Sequence, residues 1–351
     1  MSDIPSGGLE IRAVILAAGK GTRLRPLTND LSKAFVQIGD KTLVDVLVEN
    51  YEAAGITSLT VGVGWQGDVL RSHLEERQSA MDIEVVDVPD YEDGPLRTLT
   101  TTLRTVEDET VIVGPVDQLM DDNLVSNALE QYHDKKSPED IILLVDLSTK
   151  KGTQVFLDEA GLVVGLGTPL RDYDSTACSA MLMIISKSRY RTFIESANKG
   201  VPKVSEALNQ LITEGAKVGH IPIEGTWFDI DTVHDILQVN RFVLRHMQES
   251  VNAPISIRLG DTMEFGQSIA LPAEVFVECG VSLHGPVLVQ ENCKIAKNTI
   301  IGPDVVIAKG AEIGANCRIE NTTLFKNAKI RKNTNIQDAV VFDSEVLYSE
   351  E

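Results

Sequence analysis

The sequence predicts an α/β protein with a doubly wound, mostly parallel sheet, followed by a parallel β-helix of six-residue repeats. Two observations carry this prediction. Short apolar runs alternate with amphipathic stretches up to about residue 248, which is typical of strands and helices in a parallel sheet. From Ile269 to Phe342, large apolar residues then recur every six positions over most of the segment. A fixed short period of this kind is typical of a solenoid, in which each rung covers the apolar face of the previous one.

The elements of the first part follow from the local apolar pattern. The run 11–16 predicts a buried strand, and the apolar positions in 43–51 share one face of a helix that Gly55 ends. Two apolar runs in 154–166 flank a turn at 158–161 and predict a hairpin. Further strands are predicted at 58–63, 83–88, 110–113, 141–145, 180–185 and 218–223. Further helices are predicted at 68–78, 96–106, 123–134, 204–214 and 233–248.

These patterns predict two domains and their boundaries. The α/β domain is expected to span 1–248, a linker 249–262, the repeat domain 263–346, and a short acidic tail 347–351. A chain of 351 residues is longer than a typical single core, which agrees with two domains. Repeat domains of this type often pack between subunits, so we expect a homo-oligomer.

Charge and composition exclude several classes of function. The formal net charge is −20, and a strongly acidic chain repels a nucleic-acid backbone. No apolar run approaches the length of about 18 residues that a membrane helix needs. The first residues carry no leader pattern, and the four cysteines have no metal-ligand spacing. We therefore expect a cytoplasmic protein that binds neither nucleic acid nor membrane.

The segment after the first strand carries the strongest functional signal. It reads L-A-A-G-K-G-T-R-L-R-P-L-T over 16–28, with Lys33 shortly afterwards. Glycines let a ligand approach the backbone closely, and the free N–H groups of such a turn bind phosphate oxygens. Arginine and lysine add positive charge in a chain that is otherwise acidic. The pattern predicts a triphosphate-binding site.

Two aspartates are candidate metal ligands. Asp117 follows the predicted strand 110–113, and Asp229 lies in the segment W-F-D-I-D-T at 227–232. Mg²⁺ prefers oxygen ligands and is commonly held by one or two carboxylates together with substrate phosphates. Taken singly, each aspartate is more typical of a turn or a helix cap than of a metal ligand. The phosphate-binding loop is what favours the metal interpretation.

Together these motifs resemble the signature of the sugar-1-phosphate nucleotidyltransferases, the NDP-sugar pyrophosphorylases. The resemblance includes the loop at 16–28, Ser32-Lys33, V-G-P-V-D at 113–117, W-F-D-I-D-T and the repeats, and it covers nearly the whole chain. It implies a Rossmann-like nucleotidyltransferase domain followed by a left-handed β-helix. It also implies transfer of a nucleotidyl group from an NTP to a sugar-1-phosphate or polyol phosphate, with Mg²⁺ as cofactor and pyrophosphate as the second product.

The resemblance assigns roles to individual residues. Arg23 and Lys33 would be catalytic, and Asp117 and Asp229 would bind Mg²⁺. The nucleotide would be bound by a larger set, namely Leu16, Ala17, Ala18, Gly19, Gly21, Thr22, Arg23 and Gly94.

The acceptor segment departs from the family pattern. The usual E-K-P has no clear equivalent, and G-T-P-L-R-D-Y-D at 167–174 stands near its place. With D-I-D-T for the usual D-x-G-T, this region looks closer to cytidylyltransferases that act on inositol or similar polyol phosphates. Arg171 and Asp174 are then candidate acceptor contacts, and a solvated salt bridge is the alternative. Gln37 also replaces a usual proline.

Two other functions stay open at this level. Gly94-Pro95-Leu96 also stands in the region of the family's G-T-A-like or G-L-A-like base-recognition segment. These departures in the acceptor and base segments are compatible with a regulatory subunit that binds nucleotide without turnover. Hexapeptide-repeat solenoids also serve acyl transfer, which usually needs a catalytic histidine. His284 is the only histidine within the repeats.

Overall fold

The computed structural model describes residues 11–135, 139–149, 152–250, 264–265, 269–270 and 274–350, and these divide into two compact units. The first unit comprises 11–20, 30–34 and 47–227. The second comprises 21–29, 35–46 and the described part of 228–350. The predicted linker 249–262 lies outside the described residues except for its first two positions, which end a helix.

Helices occur in both units. The described α-helices are α1 (Leu43–Ala53), α2 (Gly67–Glu76), α3 (Pro95–Leu103), α4 (Leu124–Asp134), α5 (Tyr190–Asn198), α6 (Val204–Thr213) and α7 (Val233–Ser250). The strands up to α7 are β1 (Ile11–Ala17), β2 (Gln37–Ile38), β3 (Lys41–Thr42), β4 (Ser58–Val63), β5 (Asp82–Asp87), β6 (Thr110–Pro115), β7 (Gln118–Met120), β8 (Ile141–Asp146), β9 (Gln154–Leu157), β10 (Val163–Leu166), β11 (Ser175–Ser186), β12 (Val218–Pro222) and β13 (Trp227–Asp229).

The first unit is built on a mostly parallel sheet, as the sequence predicts. The strand order is β10-β9-β11-β6-β1-β4-β5, with β8 pairing β11 and β12. β1 is parallel to both of its neighbours, β4 and β6, whereas β11 is antiparallel to β6 and β8. Val14 and Ile15 in β1 are both fully buried although successive strand residues face opposite sides. Both faces of the sheet are therefore covered, which is the doubly wound arrangement.

One face of this sheet carries the larger described core cluster. Leu96 and Leu99 of α3, Phe193 of α5 and Leu208 of α6 pack there with Val14 of β1. The helix α5 was not predicted from the sequence, and β11 begins five residues before the predicted strand at 180. The first half of β11 has little apolar alternation, and its pairing with β9 fixes it as a strand.

The second unit contains a region of short parallel strands. After α7 these are β14 (Glu264–Phe265), β15 (Ile269–Ala270), β16 (Phe276–Val277), β17 (Ser282–Leu283), β18 (Val287–Val289), β19 (Lys294–Ile295), β20 (Ile300–Ile301), β21 (Val305–Ile307), β22 (Glu312–Ile313), β23 (Arg318–Leu324), β24 (Lys329–Ile330), β25 (Asn335–Phe342) and β26 (Glu345–Tyr348).

Register in this region follows the six-residue period. Leu283 pairs with Ile301 and Ile301 pairs with Ile319, so partners lie 18 residues apart (301 − 283 and 319 − 301), or three repeats. These side chains belong to one buried apolar cluster. β26 differs, because it pairs antiparallel with β25. It includes Leu347 and Tyr348, the first two residues of the segment predicted as a tail.

Asparagines occupy turns between these strands. Asn298, Asn316 and Asn333 have positive φ angles of 57°, 57° and 61°. Asparagine tolerates this left-handed conformation better than most residues, because its short polar side chain bonds locally. The side-chain Nδ2 of Asn298 donates to Asn316 (3.3 Å), and that of Asn316 donates to Asn333 (3.0 Å). The ladder links equivalent turns across the region.

Among the described helices, none combines the length and the apolar character that a membrane crossing requires.

The two neighbouring residues of β20 provide a test of the apolar core of the strand-rich region. Ile301 is fully buried, whereas its neighbour Ile300 is 36% exposed. We expect Ile301→Ala to lower the free energy of unfolding of the repeat region by about 2–5 kcal/mol, because it leaves a cavity. Ile300→Ala should change it by about 1 kcal/mol or less. Hydrogen exchange of peptides from 283–341 under increasing urea measures both. Equal losses at the two positions would contradict the stated facing of the strand.

Candidate active site

The carboxyl end of β1 is fixed by backbone hydrogen bonds from both sides. The carbonyl of Leu16 accepts from the N–H of Val116 at 3.1 Å, and that of Ala18 accepts from the N–H of Trp65 at 3.0 Å. Gly64 allows this approach, since a Cβ there would lie 2.8 Å from the Ala18 oxygen. The predicted nucleotide-binding residues Leu16 to Ala18 therefore hold a rigid position at the centre of the sheet, where open α/β sheets bind ligands.

The two loop glycines have different roles in the fold. Gly19 is exposed, and a Cβ on it would meet no atom within 4 Å. Gly21 has a φ of +59°, and its carbonyl accepts from the Thr28 hydroxyl (2.7 Å) and the Leu24 N–H (3.0 Å). It begins a short 3-10 helix over Thr22–Leu24. The backbone conformation thus accounts for Gly21, whereas neither packing nor a positive φ angle requires a glycine at position 19.

Lys33 and Asp117 form an ion pair within the first unit. The Lys33 Nζ donates to Asp117 Oδ2 at 2.8 Å, with 8% and 24% of the two side chains exposed. The other carboxylate oxygen, Oδ1, is buried and has no hydrogen-bond partner. Buried polar atoms are normally satisfied, so an orphan acceptor of this kind is a candidate position for a further ligand such as a metal ion.

Within the second unit, Asp229 and Asp231 form a pair of part-buried carboxylates. An oxygen of one lies within 4.8 Å of an oxygen of the other. The residue between them, Ile230, is fully buried, so alternation along the chain places both acids on the opposite side. Arg23 forms an ion pair with Asp231 and keeps 70% of its side chain exposed. The pair is suited to a divalent cation, and Arg23 is accessible to a substrate.

Lys20 has a partner beside the loop. Its ammonium group forms an ion pair with Glu92 and lies 5.7 Å from the centroid of the Trp65 ring. The hydrogen bond from Lys20 holds the pKa of the exposed Glu92 carboxyl below its usual value. Lys20 therefore has a structural contact besides any contact to phosphate.

Gly94 lies at the start of α3. Its φ is +110°, and a Cβ there would come within 2.5 Å of the Pro202 carbonyl oxygen. The same carbonyl accepts from the N–H of Leu96 at 3.1 Å. The glycine therefore has a packing role at this helix N-terminus in addition to the predicted nucleotide contact.

A cavity of about 250 Å³ lies inside the first unit, lined mostly by aliphatic side chains. Its wall includes Leu16 at the end of β1, Pro95 beside Gly94, and Lys203 before α6. Met181, also in the wall, has a φ of +58°, which is uncommon for a residue other than glycine. Such outliers concentrate at functional sites.

The two predicted acceptor residues lie in a different part of the first unit. Arg171 forms an ion pair with Asp158 at 3.2 Å, and the backbone N–H of Asp174 donates to the Leu157 carbonyl at 2.8 Å. Both residues are exposed, and neither lines the cavity.

Sequence reasoning missed one candidate residue in each unit. Asp231 was detectable, because Asp229 and Asp231 alternate around the apolar Ile230 in the same motif. Lys203 was not, because its place in the cavity wall depends on the packing of α6 against the sheet.

Comparison with known proteins decides the family. Residues 13–200, more than half of the chain, match the MobA-like NTP transferase domain. The chain belongs to the MobA-like NTP transferases. This NTP transferase also matches the GMPPB C-terminal domain over residues 283–347.

Its relatives extend over nearly the whole length of the NTP transferase. A glucose-1-phosphate thymidylyltransferase of Streptomyces antibioticus is 27% identical over 90% of this chain and 85% of the relative. A probable mannose-1-phosphate guanylyltransferase of Oryza sativa subsp. japonica is 23% identical over 94% of this chain and 86% of the relative. The membership and the fold together identify this NTP transferase as a nucleotidyltransferase enzyme, as the sequence predicts.

A solved structure supports the fold of the NTP transferase. The inositol-1-phosphate CTP transferase from T. maritima superposes with a TM-score of 0.57 at 20% identity, covering 70% of this chain and 99% of that one. The Rossmann-like nucleotidyltransferase architecture predicted from the sequence is confirmed.

Gly19 provides a test of the loop. We expect Gly19→Ala to leave the free energy of unfolding within about 0.5 kcal/mol of the wild type, because the added methyl group meets nothing. The methyl group should weaken NTP binding by about tenfold or more, since it fills the space where phosphate reaches the backbone. Calorimetric titration with NTPs and thermal melting measure the two effects. In Gly64→Ala, by contrast, the new Cβ would lie 2.5 Å from the Tyr91 ring, so stability and binding should fall together. Unchanged NTP affinity in Gly19→Ala would remove that residue from the site.

Proposed function

We propose that this enzyme transfers a nucleotidyl group from an NTP to a sugar-1-phosphate or polyol phosphate and releases pyrophosphate. The observation that carries the proposal is the part-buried Lys33–Asp117 ion pair, with one Asp117 oxygen left without a partner. A buried acceptor without a hydrogen-bond partner is available to a further ligand, such as a metal ion. The relatives, a glucose-1-phosphate thymidylyltransferase and a probable mannose-1-phosphate guanylyltransferase, support the substrate class.

The nucleotide is proposed to bind at the glycine loop. The backbone from Leu16 to Gly19, with Gly21 and Thr22, would contact the NTP, and its N–H groups are suited to phosphate oxygens. The cavity beside Leu16 and Pro95 would receive the base, and Gly94 would hold the adjoining backbone. The aliphatic wall of the cavity suits the flat ring of a base better than it suits a polyphosphate.

Two cations are proposed to act in the reaction. Lys33 would orient the attacking phosphate or the α-phosphate, because its ammonium group is held in place by Asp117. Arg23 would neutralise the pyrophosphate as it departs, since its guanidinium is exposed and has the geometry for two phosphate oxygens. An attacking oxygen in line with the leaving group needs no protein nucleophile. Positioning of the two substrates and neutralisation of the phosphate charge would account for most of the rate enhancement.

The carboxylates fit the cofactor that the family resemblance implies. Asp117 offers a buried oxygen without a partner, and Asp229 and Asp231 offer oxygens close to each other. An all-oxygen donor set suits Mg²⁺, and we propose Asp117 and Asp229 as its ligands. When bound, Mg²⁺ supplies neutralisation of charge on the phosphate oxygens.

The repeat domain predicted over 263–346, within the second unit, is proposed to form a left-handed parallel β-helix. The 18-residue offset between paired strands supports this, because three six-residue sides make one coil. We propose that it mediates homo-oligomer formation and that the enzyme works in the cytoplasm. A single species of monomer mass in light scattering would contradict the oligomer.

The metal assignment is tested by two matched substitutions. We expect Asp117→Asn to lower kcat by about 100-fold or more while the fold is kept, because the amide retains the shape and can accept from Lys33 but lacks the charge that attracts a cation. Asp122→Asn, at an exposed acid five residues away, is the control and should be neutral. Pyrophosphate release from the four ribonucleoside triphosphates and from dTTP, each with glucose, mannose and inositol 1-phosphates, measures turnover.

These outcomes separate the alternatives. Retained turnover in Asp117→Asn would exclude Asp117 as a metal ligand. Nucleotide binding by the wild type without turnover of any pair would favour the regulatory subunit instead.

Arg171 and Asp174 are proposed acceptor contacts. We expect Arg171→Ala to raise the KM for the acceptor by about tenfold with little change in the KM for NTP, because it removes one charge-assisted hydrogen bond. Asp174→Ala should also raise the KM for the acceptor. Arg191→Ala, at another exposed ion-paired arginine, is the control. If the acceptor KM is unchanged in both variants, the Arg171–Asp158 bridge is only a surface salt bridge.

A further inference from the structure

A single buried amide in α7 joins three segments of the second unit. Asn240 is 3% exposed, and its Oδ1 accepts from the backbone N–H of Gly39 at 2.6 Å. Because a backbone N–H only donates, this contact fixes which end of the amide is oxygen. The Nδ2 group then faces the Gln37 carbonyl (2.9 Å) and the Thr323 hydroxyl (3.1 Å), as well as its own helix at Ile236 O (3.1 Å).

These partners belong to elements far apart in the sequence. Gln37 and Gly39 lie in the β2–β3 hairpin, and Thr323 lies in β23 of the strand-rich region. All of them are buried. Hydrogen bonds in such surroundings are strong, and an unpaired polar group there is costly. The amide therefore imposes one relative position on the hairpin, the helix and the strand.

The hairpin is shaped to fit this contact. The Gln37 side chain donates to the carbonyls of Gly39 (2.9 Å) and Lys41 (3.2 Å), which closes the turn. Gly39 has a φ of +56°, and a Cβ there would lie 2.8 Å from the Val243 side chain of α7. The turn thus lies directly against the helix. The glutamine at position 37, which replaces a usual proline, has a defined role in this arrangement.

Packing alone does not require the amide. About one turn further along α7, Leu244 forms an apolar cluster with Leu288 and Val306. This cluster already provides adhesion between the helix and the strands through burial of apolar surface. A buried polar residue beside it adds directionality rather than adhesion.

The three joined segments adjoin the residues proposed to act on the nucleotide. Gln37 lies four positions after Lys33 along the chain. α7 begins two positions after Asp231, the partner of Arg23, and four after Asp229. A shift of the hairpin or of α7 would therefore be transmitted to these groups through a few backbone bonds. Displacements of about 1 Å can cost a reaction 100-fold in rate.

We propose that Asn240 is a positioning residue for nucleotidyl transfer, acting through the hairpin after Lys33 and the helix after Asp231. The proposal rests on the proposed function. It also gives the strand-rich region a part in catalysis, because Thr323 is one of the three attachment points.

Full-length variants with matched controls test the proposal. We expect Asn240→Ala to lower kcat/KM for the NTP by about 10–100-fold. Thr323→Val keeps the shape of the side chain and removes its hydroxyl, and should lower kcat/KM about threefold or more. Thr323→Ser, which keeps the hydroxyl, should stay within about twofold of the wild type. Leu244→Ala should lower the Tm and leave the KM for NTP and the kcat per folded molecule unchanged.

Hydrogen exchange gives a readout independent of turnover. The amides of 36–43 should exchange faster in Asn240→Ala than in the wild type, and Leu244→Ala should change their exchange rates less.

The proposal is overturned if Asn240→Ala loses stability as Leu244→Ala does while its kcat and KM for NTP stay within twofold of the wild type. If Asn240→Ala does not fold, Thr323→Val decides by the same criterion. Wild-type turnover is measured first: its absence refutes the proposed function and this inference together, whereas turnover with insensitive variants refutes only this inference.

Discussion

The fixed end of β1 is the constraint on which the candidate site depends. β1 is an inner strand with parallel neighbours on both sides, and its last carbonyls are held by N–H groups of Trp65 and Val116. These bonds order the backbone as far as Ala18. The loop continues at Gly19, where the structure provides open space instead of a side chain. A ligand that contacts this loop contacts a backbone that is already ordered, so the chain loses little conformational entropy on binding.

The spacing of apolar residues and the positions of turn residues were enough to predict most of the fold. Short apolar runs located the strands of the sheet, and the six-residue repeat predicted stacked strands, which the structure pairs in parallel at an offset of 18 residues. Helix α5 was missed although its sequence, YRTFIESAN, has apolar residues at helical spacing, because it is only nine residues long and closely follows a strand. The assignment of 21–29 and 35–46 to the second unit was also missed. It depends on contacts such as Gly39 with Asn240, 201 positions apart, for which no local pattern exists.

The candidate site divides in the same way. Residue types in the loop predicted Lys33 and Arg23, but not their partners. Asp117 lies 84 positions from Lys33, and its unpaired Oδ1 is a property of packing alone. Asp231 could have been predicted from the motif that contains Asp229, because the two aspartates alternate with the buried Ile230 and so share one side of the chain. The acceptor segment was located only by analogy, and its exposed residues carry the least structural support.

The antiparallel strand β26 has a consequence for solubility. A stack of parallel strands presents unpaired N–H and C=O groups at its last strand, and such an edge templates pairing with other molecules. β26 covers β25 from Ala339 to Phe342, reversing direction so that the next strand cannot continue the stack in register. It is only four residues long, and its first residue is an exposed glutamate. The strand therefore blunts the edge against fibre-like growth.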